Sequence, residues 1–173
     1  LLGEIQSGHL EQVGYDTYCN LLDEVVKEMK GIEVRPETEI QIDLNVTSYI
    51  PDEYISDSNQ KIEVYQNIAL CRNEEDIQNV IDEIIDRFGN MPKELENLID
   101  IARIKYISKK LDIEKIASRK DAVVFTFKAS GSEDKFKIDI AQLVKKYGTK
   151  IKFSAGIKPM ITLDIGTSSE RKI

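Results

Sequence analysis

Residues able to carry chemistry are scarce in this 173-residue chain, which has one histidine, two cysteines and no tryptophan. With His9 as the lone imidazole, neither a Ser-His-Asp triad nor a multi-histidine metal site can be assembled. His9 falls in a polar loop punctuated by Gly3, Gly8 and Gly14, where a structural hydrogen bond is its default role. Cys19 and Cys71 lie on separate predicted helices without CxxC spacing, which reads as two half-buried thiols in a reducing compartment. The phosphate cradle GxxxxGK followed by Ser or Thr is missing, so the chain holds no P-loop. No apolar run approaches about eighteen residues, so no transmembrane helix is expected, and no signal peptide is visible. Carboxylate pairs are many, but none sits in an apolar setting that would raise a pKa toward neutrality. The chain alone is not expected to be an enzyme.

What the chain does have is apolar and charged residues in quantity, 41% and 32%. That suits a soluble protein, and the length fits one domain with a tail or one domain plus an appendage. The charge is polarised. Residues 1–100 carry 23 Asp/Glu against 7 Lys/Arg, whereas residues 101–173 carry 8 against 17. An acidic face repels phosphate backbones, which argues against nucleic-acid binding by the first part. The lysines of the basic part read as scattered and without interleaved aromatics, a solvated surface complementing the acidic half.

Periodicity then orders the chain. Tyr18, Leu21, Leu22, Val25, Val26 and Met29 form a helical stripe closed by Gly31. Residues 32–38 read as a linker. Ile40, Ile42, Leu44 and Val46 alternate with polar residues, the period of a strand with one buried face; Pro51 ends it and a polar loop runs to about Ser58. Three helices should follow. The first buries Ile62, Tyr65, Ile68 and Ala69. The second is capped by Asn73, carries the stripe Ile77, Val80, Ile81, Ile84, Ile85 and Phe88, and stops at Gly89. Pro92 opens the third, whose stripe of Leu95, Leu98, Ile99 and Ala102 is widened by Ile101, Ile104 and Ile107, the mark of a central helix. Beyond Leu111 come short strands at 113–117 and 122–127 about a Ser-Arg-Lys-Asp turn, a helix from Asp139 to Gly148, and strands at 151–153 and 160–165. The expected class is α+β: about four helices and one strand, then a small, mostly antiparallel sheet with one further helix.

Two acidic pairs, Asp23-Glu24 and Asp82-Glu83, superficially imitate a helicase acidic box. Both lie within helix-period segments opposite the apolar stripe, not at the end of an apolar strand, so they read as solvated helix faces.

The run LLGEIQSGHLEQVGYDTYCNLL resembles the loop and helix that close the motor of bacterial transcription-repair coupling factors. EIQIDLNVTSYIPDEYISD at 39–57 resembles the start of that family's C-terminal domain, and IDRFGNMP at 85–92 its turn between two helices. LIDIARIKYISKKL at 98–111 continues the match, which spans about residues 1–112 in the family's order.

The resemblance implies a C-terminal piece cut just after the motor: residues 1–34 the end of the motor loop with its connecting helix, residues 35–173 a C-terminal regulatory domain. It implies a parent that uses ATP and magnesium to translocate on duplex DNA, removes stalled RNA polymerase and recruits the damage-recognition ATPase of excision repair. The fragment itself is expected to need no cofactor, to contact no membrane and to be cytoplasmic. Gln6, flanked by Gly3 and Gly8, occupies the family's motor-coupling loop, although Ile5 stands where members often carry an acidic residue. The domain's implied role is autoinhibitory: it docks on the parent's N-terminal repair-adaptor-like domain and masks the recruitment surface. Asn79, Asp82, Glu83 and Asp86 share the outer side of the second helix after Pro51 and suit a basic partner. The alternative is a nucleic-acid-binding appendage using Arg103, Lys105, Lys109, Lys110, Arg119 and Lys120.

Overall fold

A computed structural model describes residues 40–129 and 138–166. They fall into two compact units, a helical one formed by 46–106 and a sheet unit formed by 40–45, 107–129 and 138–166. The expected α+β class holds. In chain order the elements are β1 (Gln41–Asp43), α1 (Ser58–Leu70), α2 (Glu74–Phe88), α3 (Lys93–Lys110), β2 (Ile113–Ser118), β3 (Ala122–Phe127), α4 (Ile140–Tyr147), a 3-10 turn (Gly148–Lys150), β4 (Ile151–Ser154) and β5 (Met160–Asp164).

The helical unit packs around Val64, Tyr65 and Ile68 of α1, Ile77 and Ile84 of α2, and Leu95, Leu98, Ile99 and Ala102 of α3. Asp57 starts α1 by accepting the Gln60 N–H at 2.9 Å, and Asn73 starts α2 by accepting the Asp76 N–H at 2.9 Å. The segment expected to be a polar loop after Pro51 proves to be part of the core. Ile50, Pro51 and Ile55 are buried, in a tight turn where Tyr54 and Ile55 donate their N–H groups to the Pro51 carbonyl at 3.0 and 3.1 Å. A buried loop must satisfy its own backbone. The Ile50 N–H accordingly donates to the Tyr65 hydroxyl at 2.9 Å, and the Tyr54 hydroxyl donates to the Gly89 carbonyl at 2.7 Å. α3 leaves the helical unit after Tyr106. Its stripe is narrower than expected, because Ile107 is exposed.

In the sheet unit the strand order is β1-β2-β3-β5-β4. β1 runs parallel to β2, with Gln41 opposite Lys115, and the other pairs are antiparallel. The strand written before the helices therefore joins the sheet written after them, through a crossover that spans the whole helical unit. It is shorter than its alternation suggested, since the Asn45 N–H bonds to the Ser118 hydroxyl instead of continuing the ladder. Asp112 closes α3 in the left-handed region (φ 57°), a conformation that aspartate tolerates better than most residues. Asp139 caps α4 by accepting the Gln142 N–H at 3.1 Å, and Gly148 ends it at φ 56°. α4 buries none of its side chains fully.

Candidate docking surface

α2 is built to present carboxylates. Its apolar stripe turns Ile77 and Ile84 into the core, and Glu74, Glu75 and Asp76 occupy the first turn, where the positive end of the helix dipole favours them. The Arg72 N–H also donates to the Asp76 carboxylate at 2.8 Å. Gly89, at φ 84°, donates its N–H to the Ile85 carbonyl and stops the helix.

Asn79, Asp82, Glu83 and Asp86 are all exposed; Asn79, Asp82 and Asp86 lie opposite the core, and Glu83 lies on the flank toward α1. Their states differ. Arg87 holds Glu83 through Nη1–Oε1 at 2.8 Å and reaches across to Glu63 of α1 through Nη2–Oε2 at 3.0 Å. The hydrogen bonds that it donates to Glu63 and Glu83 push the Arg87 guanidinium above its usual range. The same guanidinium lies 5.0 Å from the centroid of the Phe88 ring. Asp82 accepts from the Gln78 amide at 2.8 Å, while Asp86 and Asn79 have no side-chain partner. One of these carboxylates is thus fixed in direction and another is left open. Ile85 emerges 42% exposed beside Asp82 and Asp86, although its helical spacing put it in the apolar stripe.

A shallow surface cleft between α1 and α2, lined by Val64, Asn67, Val80, Ile84 and Phe88 with Glu83 and Arg87, encloses no room for a small molecule. Among the described residues no cluster of three or more His, Cys, Asp or Glu is placed to hold a metal ion. No described helix is long and apolar enough to cross a membrane. Cys71 is half-buried, donates its thiol to the Asn67 carbonyl at 3.2 Å, and is pushed up to about 11 by burial and by the nearby Asp76 carboxylate.

The residues of the nucleic-acid alternative are divided between the two units. Arg103 is neutralised within the helical unit by Glu74 (2.8 Å) and Asp100 (3.0 Å), and the Tyr106 hydroxyl donates to the same Glu74 at 3.0 Å. Hydrogen bonds from Arg103 and Tyr106 hold the Glu74 carboxyl below its ordinary value. Lys105 stays with Arg103, whereas Lys109, Lys110, Arg119 and Lys120 belong to the sheet unit. There, Lys109 and Lys110 precede the start of β2, and Arg119 and Lys120 follow its end, about 17 Å away along a six-residue strand. Gln6, Gly3 and Gly8 lie outside the described residues.

A family model described as the TRCF domain matches residues 44–138. The transcription-repair-coupling factor of Bacillus subtilis is 37% identical over 152 residues, covering 87% of this chain and 13% of that protein. Its counterpart in Rickettsia typhi is 39% identical over 157 residues, covering 88% and 14%. The chain therefore spans about one seventh of the length of these relatives. Among solved structures, the crystal structure of a C-terminal domain of transcription-repair coupling factor superposes with a TM-score of 0.60 at 23% identity, covering 76% of this chain and 84% of that one. That likeness is one of fold.

Proposed function

Since the chain belongs to the transcription-repair coupling factor family and carries its TRCF domain, we propose that it is a non-catalytic regulatory module that docks within its own parent protein. The parent, in this reading, is a cytoplasmic DNA translocase that spends ATP with magnesium to move on duplex DNA, removes stalled RNA polymerase and recruits the damage-recognition ATPase of excision repair. The module's acidic α2 face docks on a basic surface of the parent's N-terminal repair-adaptor-like domain and keeps the recruitment surface covered until the motor engages polymerase.

The observation that carries this reading is the pairing of a fixed and an open carboxylate on one exposed face. Glu83 is oriented by Arg87, and Asp86, three residues along, has no partner of its own. A pre-oriented carboxylate loses less freedom when a cation meets it, and an open one gains a full partner. Close interfacial charge pairs contribute roughly 1.5 kcal/mol or more each when desolvated. Moving a closed state from 99:1 to 1:99 needs about 5.5 kcal/mol of differential binding, within reach of a few such pairs plus apolar contact. Ile85, exposed at the edge of the face beside Asp82 and Asp86, supplies that contact.

The test is calorimetric titration of the chain into the parent's isolated N-terminal domain at low and high salt. Binding should weaken with salt and vanish for Glu83→Lys/Asp86→Lys. Salt-independent binding that survives the double reversal would sink the proposal. Absence of binding by the wild-type pair is followed by the same reversal in the full-length parent, where tethering raises the effective concentration. Unchanged recruitment of the damage-recognition ATPase there would also refute it.

A further inference from the structure

The sheet unit concentrates positive charge that the docking reading leaves unused. Between Ile140 and Leu163 the chain has five lysines and no acidic residue. Strand register decides where they go. Ser118 lies opposite Val123, Val123 opposite Leu163, and Leu163 opposite Ile151, one row across the sheet. The β2–β3 turn and the start of β4 therefore share one end of the sheet. Arg119 and Lys120 leave β2 there, and Lys150 enters β4 there, three strand spacings or about 14 Å away. α4 brings Lys145 and Lys146 to the same end in its last turn, and Lys152 follows one residue into β4. All six side chains are exposed and none makes an ion pair. Asp121 and Asp164 are the carboxylates between these elements, and Asp164 already accepts the Gly166 N–H at 2.9 Å. At the opposite end Lys158 is paired with Glu114.

We propose that the sheet end bearing Arg119, Lys120, Lys145, Lys146, Lys150 and Lys152 binds the phosphate backbone of duplex DNA. Duplex DNA presents about one negative charge per 1.7 Å of axis, the densest partner such an array can meet. Five of the six cations are lysines, point charges that hold phosphates without the planar fork that reads base edges. Binding is thus independent of sequence. Single strands fit less well, because they need aromatic platforms. Tyr147 is half-buried, with the Lys146 ammonium 5.3 Å from its ring centroid. The helix dipole accounts for Lys145 and Lys146 at the end of α4, but not for Arg119, Lys120 or Lys150 arriving from other elements.

The experiment is fluorescence anisotropy of a short labelled duplex titrated with the whole chain at roughly 50 to 200 mM salt. Binding should fall steeply with salt. Arg119→Glu/Lys120→Glu and Lys150→Glu/Lys152→Glu should each weaken it about tenfold or more and lower the log–log salt slope by about 2, roughly one per cation lost. Lys109→Glu/Lys110→Glu makes the same change in net charge at the other end and should leave affinity within about twofold. The milder Lys150→Gln/Lys152→Gln pair, with circular dichroism as a check on folding, must still lower the slope. The proposal is overturned by no duplex binding at the lowest salt, or by equal loss from the Lys109/Lys110 pair. It is equally overturned by tighter binding of a single strand of the same length. Displacement by polyglutamate at charge equivalence would also overturn it, assigning this end to an acidic protein.

Discussion

Tyr65→Phe removes the acceptor of a buried hydrogen bond that the irregular segment before α1 depends on. Ile50 is 2% exposed and Tyr65 6%, and the Tyr65 hydroxyl accepts the Ile50 N–H at 2.9 Å. Removing only the oxygen leaves ring packing intact but strands that N–H where water does not reach. An unsatisfied buried donor costs about 1–3 kcal/mol, more than the roughly 1 kcal/mol net value of an ordinary hydrogen bond. In a domain of 60–100 residues that corresponds to about 4–8 °C of Tm per kcal/mol. Tyr54→Phe is the control, because its hydroxyl donates at 2.7 Å to an exposed Gly89 carbonyl that water can serve instead. Urea unfolding of both variants should show the larger loss for Tyr65→Phe, with an unchanged m-value. Equal losses, or a Tyr65→Phe change below about 0.5 kcal/mol, would refute the claim that this loop is held by its own buried backbone pairing.

Two further outcomes follow from the helical unit. Asn73→Ala should cost about 1 kcal/mol by removing the acceptor of the Asp76 N–H, while Asn73→Asp should retain stability; thermal melts of both decide it. The Cys71 thiol, raised to about 11, forms its thiolate only well above the roughly 8.5 of a free cysteine. Alkylation at pH 8 should therefore run roughly a hundredfold slower in the folded chain than in urea, since only the thiolate reacts. Because the folded pKa is the higher one, the contribution of Cys71 to stability is complete below about pH 8.5 and declines as pH rises toward 11. Stopped alkylation with mass readout tests the rate, and comparable rates in the two states would contradict it.

Local grammar was legible wherever the chemistry is local. Asn73, the stripe from Ile77 to Phe88, and Gly89 delimit α2 without reference to any other segment, because an N-cap, a 3.6 period and a left-handed stop each act over a few residues. The same holds for α4 between Asp139 and Gly148. The outward carboxylates Asp82, Glu83 and Asp86 follow from that periodicity, since an amphipathic helix that buries one side must expose the other. Their different states did not follow. Arg87 fixes Glu83 by reaching Glu63, a residue brought near only when α1 packs against α2.

By itself, then, the sequence determined the α+β class, the helix limits and which face of α2 carries charge, all short-range consequences of capping and period. Only the tertiary structure decided that Ile50 and Ile55 belong to the core, that β1 pairs parallel with a strand some seventy residues later, and that Arg119 and Lys120 share a sheet end with Lys150. Strand register and crossover pairing set those neighbours. A backbone ladder joins residues far apart in the chain without requiring any particular side chain, so no local pattern announces it.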